Sequence, residues 1–259
     1  MAMKKLVVSC AVAWFCLAVL ARGEEASTAP KLKALWCTGG CCHDYKKHAP
    51  LLTGKLSQYA SVECKIVWGL EIFKNKDYAK DYDVVIYDLC YANEKNRELI
   101  GNVTRTIHEG KPTLIVHCSL HNFRAIDWDD WREAMGMTSK SHDGFRALKT
   151  KKVADHPITR FWPDAWETPG EELYQTIKFW PNATPLLTAY SVQSKKDHVV
   201  CWINQYGQGR VFATTLGHNM LTVGKKEYPR LLANGLLWVC GKLDEQGKPV
   251  PGYEGPGVE

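Results

Sequence analysis

The sequence of 259 residues lacks an internal repeat and a long linker, which argues against a repeat array and favours one large α/β domain over two small ones. It also lacks an apolar run long enough for a confident membrane span, because the N-terminal run covers only residues 6–20. Cys16 follows two aromatic residues, so a lipid-attachment signal is not indicated.

Charge of one sign is not in strong excess either. The formal net charge is +5, and three of the positive charges lie at Lys4, Lys5 and Arg22. Without the first 23 residues, which hold these three charges and no acidic residue, the net charge is +2. A nucleic-acid partner is therefore not expected, because such partners need a concentrated positive surface.

The N-terminal segment is typical of a secretory signal. Lys4 and Lys5 precede the apolar run, and residues 21–23 form a small-x-small cleavage pattern. The sequence predicts a signal peptide over residues 1–23 and a periplasmic or secreted protein without stable membrane insertion after cleavage. An uncleaved anchor is the alternative. We expect the α/β domain to cover residues 31–241, followed by a Pro/Gly-rich tail over residues 242–259.

Cysteine spacing typical of a zinc knuckle is also missing. Ten cysteines are present, two of them in the predicted signal, and no disulfide can be assigned from their spacing. The adjacent Cys41 and Cys42, with Cys37 and His43, suggest either a metal cluster or a structural role, and the spacing favours the structural role. The cysteines in predicted strands or just after them are expected to be small buried residues: Cys64, Cys90, Cys118 and Cys201.

Strands and helices alternate through the first half of the chain. The predicted strands cover residues 31–37, 61–68, 82–89 and Thr113–Val116, and the predicted helices cover Tyr45–Tyr59 and residues 93–110. Nearly continuous apolar strands separated by helices are typical of a doubly wound, mostly parallel sheet. Residues 139–150 predict turns, while the strands at 184–191, 198–204 and 210–216 predict an antiparallel extension before a closing helix at 228–239.

Histidines follow the ends of three predicted strands. They come after the first, the fourth and the last strand: His43, His117, His121 and His218. Because ligands bind beyond the carboxyl ends of the strands in open α/β sheets, we expect these imidazoles to converge with a carboxylate, Asp44 or Glu172. They would act as acid–base groups or as metal ligands, with His43, His121 and His218 as the metal candidates. The alternative is that each histidine caps its own loop.

Four segments together resemble the ThuA family, which is named for trehalose utilisation. They are residues 39–44 (GGCCHD), 114–118 (LIVHC), 171–174 (EELY) and 209–219 (GRVFATTLGHN), and the similarity spans residues 31–240. Members of this family are similar in fold to class I glutamine amidotransferases. The resemblance implies a flavodoxin-like, three-layer, doubly wound sheet with an antiparallel C-terminal extension, and a role in carbohydrate metabolism.

The comparison with amidotransferases fails at two positions. Those enzymes place glycines around a nucleophilic cysteine, whereas Cys118 has Val116 and Leu120 two residues away. They also place a glutamate two residues after a late histidine, whereas the residue two positions after His218 is Met220. Because an imidazole without an orienting carboxylate is a weaker base, glutaminase activity is not expected. Cys118 is then expected to be a buried or pocket-lining thiol.

The sequence therefore predicts an exported enzyme that acts on a small carbohydrate or keto-sugar derivative as an isomerase, lyase or hydrolase. The predicted catalytic residues are His43, Glu172 and His218, and a divalent metal is the cofactor considered. The predicted substrate-binding residues are Asp44, His117, Cys118, His121, Tyr174 and Asn219. Few carboxylates stand near these motifs, so an ordinary two-carboxylate glycosidase is not favoured. The alternative is a non-catalytic sugar-binding or scaffolding module on the same fold.

Overall fold

The computed structural model describes residues 31–257, so the predicted signal peptide lies outside the described residues. Its strands are β1 (Leu32–Gly40), β2 (Val62–Trp68), β3 (Val84–Cys90), β4 (Thr113–Val116), β5 (Met137–His142), β6 (Thr150–Lys152), β7 (Tyr174–Phe179), β8 (Ala183–Tyr190), β9 (Asp197–Tyr206) and β10 (Gly209–Thr214). Its helices are α1 (Tyr45–Tyr59), α2 (Arg97–His108), α3 (Asp130–Met135), α4 (Met220–Gly224) and α5 (Glu227–Val239). None of the helices in residues 31–257 combines the length and apolar character needed to traverse a bilayer.

The main sheet has eight strands in the order β2-β1-β3-β4-β10-β9-β8-β6. The first five strands of this order, β2, β1, β3, β4 and β10, pair in parallel. The last three, β9, β8 and β6, pair antiparallel with their neighbours. Strands β5 and β7 form a separate antiparallel pair. This topology confirms the prediction of a mostly parallel, doubly wound sheet with an antiparallel C-terminal extension.

Helices cover both faces of the sheet. Successive side chains of a strand point to opposite faces, so Ala34 and Trp36 pack in the core with α1 and α5, whereas Leu35 and Cys37 pack in the core with α2 and α3. All four side chains are fully buried. Because β1 is covered on both faces, it is a nearly continuous apolar run rather than an alternating one, and the domain has three layers.

Two segments differ from the sequence-based expectation. Strand β1 continues to Gly40, because Gly39 and Gly40 pair with Leu89 and Cys90 of β3. Residues 139–142 belong to β5, although their composition predicted turns, because β5 pairs with the distant strand β7. Pairing between distant segments depends on which strand lies beside each of them in the fold. Strand propensity along the chain therefore does not predict it.

The C-terminal segment after α5 packs against the domain. The Ser61 amide donates a 2.8 Å hydrogen bond to the Tyr253 carbonyl, and the Gly257 amide donates one of 2.8 Å to the Gln58 carbonyl. These bonds attach the segment to the end of α1 and the start of β2. It therefore lies at the amino-terminal edge of the parallel strands, away from their carboxyl ends.

Candidate metal centre at the carboxyl edge of the sheet

Three donor atoms from distant parts of the chain meet beyond the carboxyl ends of β4 and β10. His117 Nε2 lies 3.3 Å from His218 Nδ1, and Glu172 Oε2 lies 3.2 Å from His218 Nδ1 and 3.9 Å from His117 Nε2. His117 follows β4, His218 follows β10, and Glu172 precedes β7. The parallel pairing of β4 with β10 explains why the two histidines lie at the same edge.

The backbone and the ring of His117 are both fixed. Its φ angle of 42° is in the left-handed region, where non-glycine residues are uncommon and strain is typical of functional sites. Its Nδ1 lies 2.5 Å from the Thr215 carbonyl oxygen, which can only accept a hydrogen bond, so Nδ1 carries the proton. Burial and the nearby His43 lower the pKa of His117 well below its ordinary value. The unprotonated Nε2 therefore faces His218 and Glu172.

Glu171, which the sequence analysis did not select, holds the turn that carries His218. Its buried carboxylate accepts hydrogen bonds of 2.9 Å from the Gly217 amide and 3.0 Å from the His218 amide. Burial raises the pKa of Glu171 to about 7, although these amides favour the ionised form. The adjacent acidic residues 171 and 172 were the available signal for this role. Neighbouring side chains of an extended segment point in opposite directions, so only one of the two glutamates can face the histidines.

Glu172 is itself held by histidines. Its Oε1 lies 3.6 Å from Nε2 of His142, a partly exposed residue that the sequence analysis also missed. Burial raises the pKa of Glu172, but the hydrogen bond from His218 and the charges of His218, His142 and His43 outweigh it, so the net shift is downward. The same hydrogen bond raises the pKa of His218. Each of the two side chains therefore favours the ionised form of the other.

His43 and Cys118 form a thiol–imidazole pair beside these donors. His43 Nε2 lies 2.7 Å from Cys118 Sγ, and its ring centroid lies 4.9 Å from that of His117 and 4.8 Å from that of His218. Burial lowers the pKa of His43, and the neighbouring His218 lowers it further. The Tyr174 hydroxyl donates to Cys118 Sγ at 3.5 Å. A neutral imidazole and a thiol are thus available for proton transfer next to the three donors.

The structure places His121, one of the three metal candidates, apart from these donors. His121 lies in the buried 3₁₀ turn His117–His121, and its ring stacks on Tyr174 at a centroid distance of 4.2 Å. Its Nε2 lies 3.4 Å from Ser139 Oγ, and burial lowers its pKa to about 4. The tight turn after β4 directs His117, and not His121, toward the other donors.

Two of the predicted substrate-binding residues, Asp44 and Asn219, cap helices. The exposed Asp44 carboxylate accepts from the Lys47 amide at the start of α1 and pairs with the Lys47 ammonium at 3.1 Å. The Asn219 side chain accepts from the amide groups at the start of α4, and its Nδ2 donates to the Gly170 carbonyl at 2.6 Å. These bonds satisfy free backbone groups at helix ends, so both residues order the loops that carry the histidines.

The converging atoms fit a divalent cation. Ligand atoms about 2.1 Å from a tetrahedral zinc ion lie about 3.4 Å apart, and the three observed separations are 3.2, 3.3 and 3.9 Å. Two imidazoles and one carboxylate suit zinc or a neighbouring transition metal. The Thr215 carbonyl behind His117 and the His142 ring behind Glu172 are outer-shell partners of the kind that orient metal ligands.

Comparisons with known proteins agree with this architecture. ThuA-like proteins from Parabacteroides merdae and Bacteroides uniformis superpose with TM-scores of 0.70 and 0.68 at 17% identity, covering 86% of this chain and 97% and 96% of theirs. A GMP synthase protein from Thermoplasma acidophilum superposes with a TM-score of 0.53 at 13% identity, covering 82% of this chain and 96% of its own. No curated protein gives a significant match. The family model for ThuA, described as trehalose utilisation, matches residues 33–239, so this chain belongs to the ThuA family, on an amidotransferase-like fold.

Proposed function

We propose that this chain is an enzyme that acts on a carbohydrate at a divalent metal centre held by His117, Glu172 and His218. The trehalose utilisation description of the family supports a carbohydrate substrate. The observation that carries the proposal is that three donor atoms lie within 3.2–3.9 Å of one another. One of them, His117 Nε2, has a free lone pair because the proton of that ring is on Nδ1, bonded to the Thr215 carbonyl.

The remaining side chains of the site are suited to moving a proton. A cation bound by the three donors would polarise a carbonyl or hydroxyl oxygen of the sugar. His43 is neutral near pH 7 because burial lowers its pKa, and its Nε2 lies within hydrogen-bond distance, 2.7 Å, of the Cys118 thiol. This pair would remove a proton from the carbon beside the polarised oxygen, and return it, as general acid and base.

The carboxylates favour proton transfer over a two-carboxylate glycosidase mechanism. Glycosidases of that type need two carboxyl groups facing the scissile bond. Glu171 is buried with both oxygens bonded to the Gly217–His218 turn, and Asp44 caps α1 outside the site. Only Glu172 of these three faces the histidines, so a keto-sugar isomerase or lyase fits this site better than a hydrolase with paired carboxylates.

Phe145 provides a surface for a sugar ring. Its side chain is 56% exposed, although it is large and apolar, and its ring centroid lies 5.3 Å from that of His218. Aromatic rings beside a few polar groups are typical of small-molecule sites. A sugar resting on Phe145 would present its oxygen atoms to the three donors.

The test combines metal analysis with a turnover screen. Protein purified with and without chelation is assayed on trehalose, glucose, ketoses and their 3-keto derivatives. We expect turnover that requires the metal and is lost in His218→Ala and His43→Asn. His108→Asn is the matched control, because His108 is exposed at the far end of α2. Full activity of metal-free protein, or of His218→Ala, would contradict the proposal. Sugar binding without turnover by the wild type would instead identify a binding module.

Export is part of the same proposal. Lys4, Lys5 and the apolar run over residues 6–20 support a cleaved signal, and the resulting enzyme would work in the periplasm or outside the cell. N-terminal sequencing of protein from cell fractions tests this directly. We expect a mature chain that begins at about residue 24, in the pattern of small-x-small cleavage. A chain with Met1 in the cytoplasm would contradict it.

A further inference from the structure

A second group of metal-binding side chains lies beside the histidines and has no part in the function proposed above. The sulfur atoms of Cys41, Cys42 and Cys90 all lie within 4.8 Å of one another. Cys41 Sγ is 2.7 Å from Cys42 Sγ and 3.7 Å from Cys90 Sγ. All three are free thiols. The sequence offered Cys37 and His43 as partners of Cys41 and Cys42 in a metal cluster, although the spacing favoured a structural role. Cys37 is buried among apolar side chains, and Cys90 of β3 lies beside the two adjacent thiols.

The loop that carries the two adjacent cysteines is built around Cys90. The Cys41 amide donates a 3.1 Å hydrogen bond to the Cys90 carbonyl. Gly40, with φ of 108°, lies so close that an added Cβ would be 2.2 Å from that same carbonyl oxygen. Cys42 has a left-handed φ of 82°, which a side chain rarely adopts without a compensating interaction. This backbone turns two successive thiols toward a third.

Core packing does not account for these thiols. A free cysteine with a structural role is normally buried, yet Cys41 and Cys42 are exposed and only Cys90, at 4% exposure, is buried. Three sulfur atoms therefore form a site that is open to solvent on one side and closed on the other.

A buried polar atom beside the cluster has no partner in the described residues. The Tyr45 side chain is 5% exposed and packs with Cys90 and Cys118, and its hydroxyl makes no hydrogen bond within residues 31–257. Buried hydroxyl groups are almost always satisfied, so this hydroxyl is available to a polar group bound beside the thiols. Cys90 also packs with Cys118, whose thiol contacts His43.

The spacing of the thiols fits a thiophilic cation. Sulfur atoms about 2.3 Å from a metal lie about 3.8–4.0 Å apart in tetrahedral or trigonal geometry. The distance from Cys41 to Cys90 is already 3.7 Å, and the pair at 2.7 Å needs to open by about 1 Å, which rotation of an exposed side chain provides. Thiolates select soft cations, and three sulfur ligands satisfy Cu(I), whereas structural zinc takes four ligands.

We propose that Cys41, Cys42 and Cys90 bind one Cu(I) ion in a three-sulfur site at the carboxyl edge of the sheet, separate from the centre formed by His117, Glu172 and His218. Each thiol loses its proton as it coordinates, and the copper keeps its oxidation state, so no further reactant is needed.

The experiment titrates reduced, chelator-treated protein with Cu(I) under anaerobic conditions against a chromophoric Cu(I) chelator. We expect one tightly held Cu(I) per chain, with three sulfur neighbours in X-ray absorption. The variant Cys41→Ser/Cys42→Ser removes two exposed thiols and should fold normally by circular dichroism. It should bind this Cu(I) at least about 100-fold more weakly, since it retains one of three ligands. Cys240→Ser is the control, because Cys240 lies at the C-terminal end of α5 and outside the cluster.

The outcomes separate the thiol site from the histidine centre. Glu172→Gln should leave the Cu(I) equivalent unchanged, because Glu172 is not a ligand of the thiol site. The proposal is overturned if the double serine variant holds Cu(I) as tightly as the wild type, or if absorption reveals nitrogen neighbours in place of sulfur. It is also overturned if the fully reduced wild type takes up none.

Discussion

Replacing Glu172 by glutamine should weaken divalent metal binding with little effect on the fold. The amide keeps the shape of the side chain and one oxygen atom, but it removes the negative charge. A unit charge about 2.1 Å from a divalent ion contributes about 4 kcal/mol even at the dielectric constant of water, and dehydration of the carboxylate offsets part of this. At 1.4 kcal/mol per tenfold, we expect Zn²⁺ affinity to fall about 100- to 1000-fold.

A second variant grades the effect. His142→Asn removes the partner of Glu172 Oε1 at 3.6 Å and leaves the three ligands in place. Loss of an outer-shell partner typically costs about 10- to 100-fold in affinity, so this variant should lie between the wild type and Glu172→Gln. His108→Asn should bind as the wild type does. Competition titration of Zn²⁺ against a chromophoric chelator measures all four proteins.

Two results would refute the reasoning. One is an unchanged Zn²⁺ affinity in Glu172→Gln, which would remove the carboxylate from the ligand set. The other is loss of binding in His121→Asn together with normal binding in His117→Asn, which would restore the ligand set expected from the sequence. Thermal unfolding of the metal-free variants is the control. The Glu172–His218 pair is partly exposed, and such pairs contribute about 1 kcal/mol or less.

Three further predictions concern the turns around the site and the pH dependence of stability. Glu171→Gln puts an amide NH₂, a donor, in place of a carboxylate oxygen that accepts a hydrogen bond from a backbone amide. It should lower the free energy of unfolding in urea by about 1–3 kcal/mol. An unchanged value would mean that the Gly217–His218 turn is stable without these hydrogen bonds. Gly217 has a φ of 108°, and an added Cβ would lie 2.1 Å from Tyr228 Oη, so Gly217→Ala should lower the free energy of unfolding by about 2–5 kcal/mol. Gly224 has open space around it, so Gly224→Ala should lower it by less than about 1 kcal/mol. Similar losses in the two variants would contradict the steric argument. Burial and the charge of Lys196 lower the pKa of His198, whose Nδ1 accepts a hydrogen bond from the Thr176 amide. The contribution of His198 to stability should therefore be fully present above the ordinary histidine pKa of about 6.5 and fall as the pH drops below it. The free energy of unfolding in urea should depend less on pH in His198→Asn than in the wild type.

The sequence alone determined the layered architecture. Its apolar strands, glycine turns and amphipathic helices were sufficient to predict Tyr45–Tyr59 and Thr113–Val116 with the bounds that the structure has, and to predict a mostly parallel sheet with an antiparallel extension. These features depend on periodicity and on local backbone preference, both of which are read along the chain. The strand-end histidines followed from the same reasoning, because parallel strands share one carboxyl edge.

Only the tertiary structure decided which side chains meet at that edge. It joined His117 rather than His121 to His218, set Glu171 against the backbone while Glu172 faces the histidines, and brought Cys90 rather than Cys37 to the adjacent thiols. The direction of a side chain beyond a strand end depends on a few backbone angles, such as the left-handed ones at Cys42 and His117. Those angles are held by contacts with residues far away in the chain, so no local pattern in the sequence records them.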